Sequence, residues 1–179
     1  MGHKRQGFTL IELLIVIVVI GILGGMFMIA GGQAQSAAKA TKIVSGLSNV
    51  KTAVLTWYGE NTDKIKNDGT INAAESAPSA YFTAEKLSKY LNAGKDFTIG
   101  ALGGNYQVIK DTAGDNKPAW YACYHLESKP DKKDVIARLY DKALAQRGHL
   151  LQKSESGWED FSNNPEADKI YMEILIFNY

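Results

Sequence analysis

The sequence predicts an α+β chain. One long N-terminal helix, apolar all round in its first half and amphipathic in its second, packs on an antiparallel β-sheet of three or four strands. Three observations predict this. Residues 13–32 pass without a charge or a side-chain hydrogen-bonding group, which meets the length rule of about 20 apolar residues for a membrane helix. Behind them Ile43, Leu47, Val50, Val54 and Trp57 recur every three or four residues, which makes one stripe of a helix. Residues 169–179 carry apolar side chains on both alternating faces, as a central strand does.

Taken in order, residues 1–7 are a short basic segment carrying Lys4 and Arg5, which the resemblance described below makes a leader. Residues 8–32 form the membrane half of the helix. Gly21, Gly24 and Gly25 sit inside it, each unfavourable relative to Ala in a helix but allowing close helix approach in a bilayer. Residues 33–60 continue the helix as the amphipathic half, with Gly59 and Asn61 as its stop. An α+β domain, 61–179, follows, which the same resemblance would place on the extracytoplasmic side. In it, 82–91 reads as a short helix capped by Thr83, and Gly103-Gly104 opens the β region. Strands are expected at 106–110 and 119–126 around a turn, 111–118. In the second strand Trp120, Ala122, Tyr124 and Leu126 face one way, and Tyr121, Cys123 and His125 the other. A helix over 131–147 places Val135, Ile136, Leu139, Tyr140, Ala143 and Leu144 on one face. Residues 154–168 read as a polar exposed segment anchored by Trp158 and Phe161. In the last strand Ile170, Met172, Ile174 and Ile176 share one face, with Tyr171, Leu175, Phe177 and Tyr179 on the other.

Composition narrows the function. The 179 residues carry 20 basic and 19 acidic side chains, and losing Lys4 and Arg5 with the leader would take the net charge to about −1. No strong field toward nucleic acid follows, so a nucleic-acid partner is not expected. The single cysteine, Cys123, rules out an intrachain disulfide.

One charge interrupts the apolar beginning. Glu12 stands at the head of the run, and a carboxylate at the lip of a membrane segment is expensive unless it has a partner. A cut between Gly7 and Phe8 would create an α-amino group, largely cationic at neutral pH. If the helix begins at Phe8, Phe8 and Glu12 share a face within one chain; between stacked chains the same pair would fix axial register.

The segment Gly7-Phe8-Thr9-Leu10-Ile11-Glu12-Leu13-Leu14 resembles the processing site of type IV pilins and type II secretion pseudopilins. The resemblance implies a pilin-like fold and a structural subunit precursor. A prepilin peptidase would cut after Gly7 and N-methylate Phe8. Glu12 would serve assembly and registration in a helical filament. The implied partners are identical or homologous subunits, an inner-membrane assembly platform and the lipid bilayer. The chain would sit single-pass in the cytoplasmic membrane, N-terminus inside, then move to a periplasmic or surface filament. Many major pilins have a proline where this chain has Ile29, and a disulfide that its lone cysteine cannot form. The contrasting expectation is a bitopic membrane protein with a ligand-binding or sensory domain that is neither cut nor polymerised. A secretory signal cleaved near Ala34-Gln35-Ser36 fits less well, because the apolar run is long and holds Glu12.

Three further constellations suggest chemistry and are weak. Asp68, Gly69 and Glu75 match the second half of an EF-hand loop, but Lys64 and Lys66 occupy its first ligand places, so a turn is the expectation. Cys123 and His125 share a strand side without a third orienting group. The cations of 131–153 read as a solvated helix face. The chain is therefore expected to be no enzyme, with no metal or cofactor.

Overall fold

The computed structural model describes residues 8–67, 69–71, 78–82, 84–91, 106–112, 117–146, 150–154, 157–162, 164 and 166–177. Helix α1, Leu10–Glu60, is continuous over 51 residues, roughly 76 Å at about 1.5 Å per residue. A 3-10 turn, Thr62–Lys64, follows, then α2 Pro78–Tyr81 and α3 Ala84–Ser88. The sheet strands are β1 Tyr106–Thr112, β2 Pro118–His125, β3 Leu151–Ser154, β4 Gly157–Asp160 and β5 Lys169–Ile176, with α4 Lys132–Gln146 between β2 and β3. All pairings are antiparallel, in the order β1-β2-β5-β3-β4. The α+β class holds, and β5 is central as its two apolar faces require.

The core lies between the helices and one face of the sheet. The stripe Ile43, Leu47, Val50, Val54 and Trp57 is buried against Val108, Trp120, Ala122, Ile170 and Met172. Helix α4 joins the same layer through Val135, Ile136, Leu139 and Ala143. Lys39 of α1 pairs with Asp131 just before α4, and Lys132 reaches Asp168 at 2.9 Å before β5. At the far end of α1, Trp57 packs edge-on to Phe82 at 4.9 Å, and Phe82 in turn meets Trp120 at 5.4 Å. Tyr90 donates to Glu60 at 2.6 Å and holds that carboxyl below its usual range.

Five expectations change. The sheet has five strands rather than three or four, because Leu151–Ser154 and Gly157–Asp160 pair as a hairpin that runs into the segment 154–168 expected to be polar and exposed; both strands are only four residues long and mostly polar. The helix expected over 82–91 shortens to α3, with the separate short helix α2 ahead of Phe82, and Thr83 and Gly103-Gly104 lie outside the described residues. Leu144 is 61% exposed and Tyr140 only half-buried, so the apolar face of α4 is narrower than its pattern. In β5 the register slips between Trp120 and Tyr121, whose partners are Leu175 and Glu173. This bulge leaves Ile174 unmatched and inverts the alternation beyond it: Leu175 and Phe177 turn to the core, while Ile176 is 36% exposed. Finally, α1 begins at Leu10, with Thr9 as its cap. Phe8 precedes the helix, so the four-residue spacing does not place Phe8 and Glu12 on one helix face.

Candidate functional site at the head of the long helix

Thr9 is extended at φ −82°, ψ 152°, and α1 starts at the next residue. The Thr9 hydroxyl accepts from the Glu12 backbone N–H at 3.3 Å. In return Glu12 Oε2 accepts from the Thr9 backbone N–H and from the Thr9 hydroxyl, both at 2.8 Å. This is a capping box, in which two orphan donors of the helix end are satisfied reciprocally. The negative carboxylate also lies at the positive end of the helix dipole. An ionised carboxylate offers about four acceptor positions, and the two bonds from Thr9 converge on one oxygen. Glu12 is therefore oriented by its own chain and retains capacity for a further donor.

The surroundings of Glu12 are apolar and open. Phe8 is 88% exposed, and every described side chain from Thr9 to Met28 is exposed. Among the described residues, α1 is the one helix long and apolar enough to cross a membrane, and the most apolar part of it is not buried at all. Burial within the chain starts at Ser36, whose hydroxyl donates to the Gly32 carbonyl at 3.2 Å. The helix runs unbroken through Gly21, Gly24 and Gly25. Among the described residues it thus divides into a part without partners in its own chain and a part that carries the folded domain.

Gly7 lies outside the described residues. Thr9 was not singled out by sequence reasoning, although Thr9-x-x-Glu12 ahead of an apolar run is the pattern of a capping box. The weak constellations resolve differently. Burial pushes the Cys123 thiol up to about 12, the reverse of an activated nucleophile. His125 is held below its ordinary value by burial and faces Gln107 at 3.4 Å. At the 63–75 loop, Ile65 bridges to Ile71, and Gly69 turns at φ 72° beneath Phe177. The Gly69 carbonyl accepts from the Trp120 indole at 3.0 Å, so this turn is docked on the sheet. Asp68 and Glu75 lie outside the described residues. Of the cations in 131–153, Lys132, Arg138 and Lys153 sit against Asp168, Asp141 and Asp111.

A long helix, half unpartnered and half laid on an antiparallel sheet, defines a pilin-like α+β architecture. Residues 2–28 match the family described as the prokaryotic N-terminal methylation motif, the N-terminal signature of type IV pilin-like precursors. That match spans the head of α1 and its apolar run, well under half of the chain. No curated protein and no solved structure matches the chain.

Proposed function

We propose that the chain is the precursor of a structural subunit of a type IV pilus or a pseudopilus. One observation carries the reading: the methylation-motif match heads a helix whose first half, among the described residues, finds no partner in its own chain, while the second half bears the domain. In this reading a prepilin peptidase cuts after Gly7 and methylates Phe8. The apolar half holds the chain in the cytoplasmic membrane until an assembly platform moves it into a filament. Identical or homologous subunits then replace lipid around 10–35, and the sheet domain faces outward.

The roles within the head follow. Thr9 fixes Glu12, and Glu12 offers its remaining acceptor capacity to the new amine at Phe8 of a neighbouring subunit. The cis pair is disfavoured, because Phe8 lies before the Thr9 cap and does not share a helix face with Glu12 of its own chain. The subunit carries out no catalysis of its own, and energy for assembly comes from other proteins.

Mass spectrometry of the native N-terminus tests the reading. A mature chain starting at methylated Phe8 is expected, with Gly7→Glu accumulating uncut in the membrane. An intact Met1 on the native protein overturns it in favour of an unprocessed membrane anchor.

A further inference from the structure

The outer sheet face, away from α1, carries its own apolar cluster. Ala119, Tyr121, Cys123 and Tyr171 are buried there, with Ile109, Leu151 and Trp158 packed around them. What covers them is the β3–β4 hairpin. The Trp158 ring stacks on Tyr121 at 4.0 Å and 15°, and meets Tyr171 edge-on at 4.9 Å. Lys153 of β3 pairs with Asp111 of β1, so the hairpin reaches across β5 and β2 to the far edge strand.

The base and body of this hairpin are held differently. At the base, Leu150 and Phe161 are buried in the main core, and the Phe161 N–H donates to the Leu150 carbonyl at 2.9 Å. Gln152 Oε1 accepts from the Ser162 N–H at 3.2 Å and its hydroxyl at 3.0 Å. The body is joined to the sheet ladder through one residue pair, Leu151 with Tyr171. The contacts shown beyond that pair, among the described residues, are the apolar and ring contacts of Leu151 and Trp158 and a partly exposed ion pair, and exposed pairs contribute little. An element with few ladder bonds opens at lower free energy than the whole fold.

We propose that the β3–β4 hairpin is a hinged strap. It lifts as a unit from a base fixed in the core and controls access to the aromatic face of Tyr121, Cys123 and Tyr171. Closed, it keeps that face dry. Open, it presents Tyr121 and Tyr171 on the sheet and Trp158 on the strap.

Cys123 is the only thiol in the chain and is buried in the cluster that Leu151 and Trp158 pack against, so its labelling reports the opening. The test measures Cys123 labelling by a small uncharged maleimide on the full-length chain in non-ionic detergent micelles, across a urea series. The wild-type labelling rate should rise with urea less steeply than global unfolding followed by circular dichroism. Trp158→Ala should speed labelling roughly 10- to 100-fold, and Lys153→Met less than about 5-fold. A wild-type urea slope equal to that of global unfolding overturns the strap, whether or not the Trp158 variant folds. So does an unchanged rate in a folded Trp158→Ala.

Discussion

Gly46 is the position where α1 admits the edge strand. A Cβ built there would lie 2.1 Å from the Tyr106 hydroxyl oxygen, 2.3 Å from Cζ and 2.6 Å from Cε1. Tyr106 uses this notch to donate to the Lys42 carbonyl at 3.2 Å, with the Ile43 carbonyl at 3.4 Å, while its ring packs edge-on to Tyr124 at 4.8 Å. Gly46→Ala therefore sets two effects against each other. Replacing glycine in a helix interior gains about 1 kcal/mol. Overpacking costs about 1–3 kcal/mol, and the displaced Tyr106 hydroxyl loses a bond worth about 1 kcal/mol. The clash wins, and a net destabilisation of about 1–3 kcal/mol is expected. Urea unfolding of the full-length chain in micelles would show it as a lower midpoint at unchanged slope. The decisive measurement is the same substitution in a Tyr106→Leu background. Leucine keeps apolar bulk but ends short of the three clashing atoms, so Gly46→Ala should there be neutral or stabilising by up to about 1 kcal/mol. Equal destabilisation in both backgrounds would refute the notch.

Acid should loosen the attachment of α4. The Lys39 ammonium beside Asp131 and the Lys132 ammonium beside Asp168 hold both carboxyls below the usual range. A depressed folded pKa gives stability that is present above the unfolded value, about 3.9, and lost as pH falls through the folded one. The unfolding midpoint should drop below about pH 4, and Lys39→Met with Lys132→Met should flatten that drop; an unchanged profile counts against the pairs. At the helix head, Glu12→Gln can still accept from Thr9 but has no charge, whereas Glu12→Val loses both. If the carboxylate pairs with a neighbour's amine, both variants are cut after Gly7 yet fail in sheared-filament yield; normal yield from Glu12→Gln would reduce the role to helix capping. Thr9→Val should accelerate hydrogen exchange in the first turn of α1, and unchanged protection there would remove the capping box.

What the sequence disclosed depended on whether a feature is periodic. The stripe Ile43 to Trp57, the two faces of β2 and the centrality of β5 all express one period each, and the structure keeps them. Features set by tertiary contact did not show. Nothing in Gly46 announces Tyr106, because the notch needs a strand sixty residues away. The bulge at Ile174 has no local marker, and it inverts the faces of only the last residues of the strand. The hairpin is stabilised by Trp158 stacking on Tyr121 rather than by an alternating pattern, so period-2 reading passed over it. Thr9 is the opposite case: its capping pattern, Thr9-x-x-Glu12 ahead of an apolar run, is entirely local and legible in the sequence.

The two halves of α1 are stable in different surroundings, and magnitudes make the point. Sixteen large apolar side chains between Phe8 and Met28 are each 48% exposed or more. Burying a side chain of this kind is worth about 1.5–3 kcal/mol, so leaving them in water forfeits on the order of 20–40 kcal/mol. A folded domain has about 5–15 kcal/mol of stability in total. No rearrangement of the sheet domain could offset a deficit of that size, and the second half of α1 is already committed to that domain through Ile43, Leu47, Val50 and Val54. The apolar half must therefore be kept in an apolar environment. Lipid and a bundle of like helices both meet the hydrophobic requirement, so burial alone does not choose between them. What can choose is the polar group at the end of the helix. In lipid, Glu12 has its own Thr9 and little else; in a bundle it could add a neighbour's amine. The discriminating free energy sits at Phe8, Thr9 and Glu12, while the larger apolar term is common to both states.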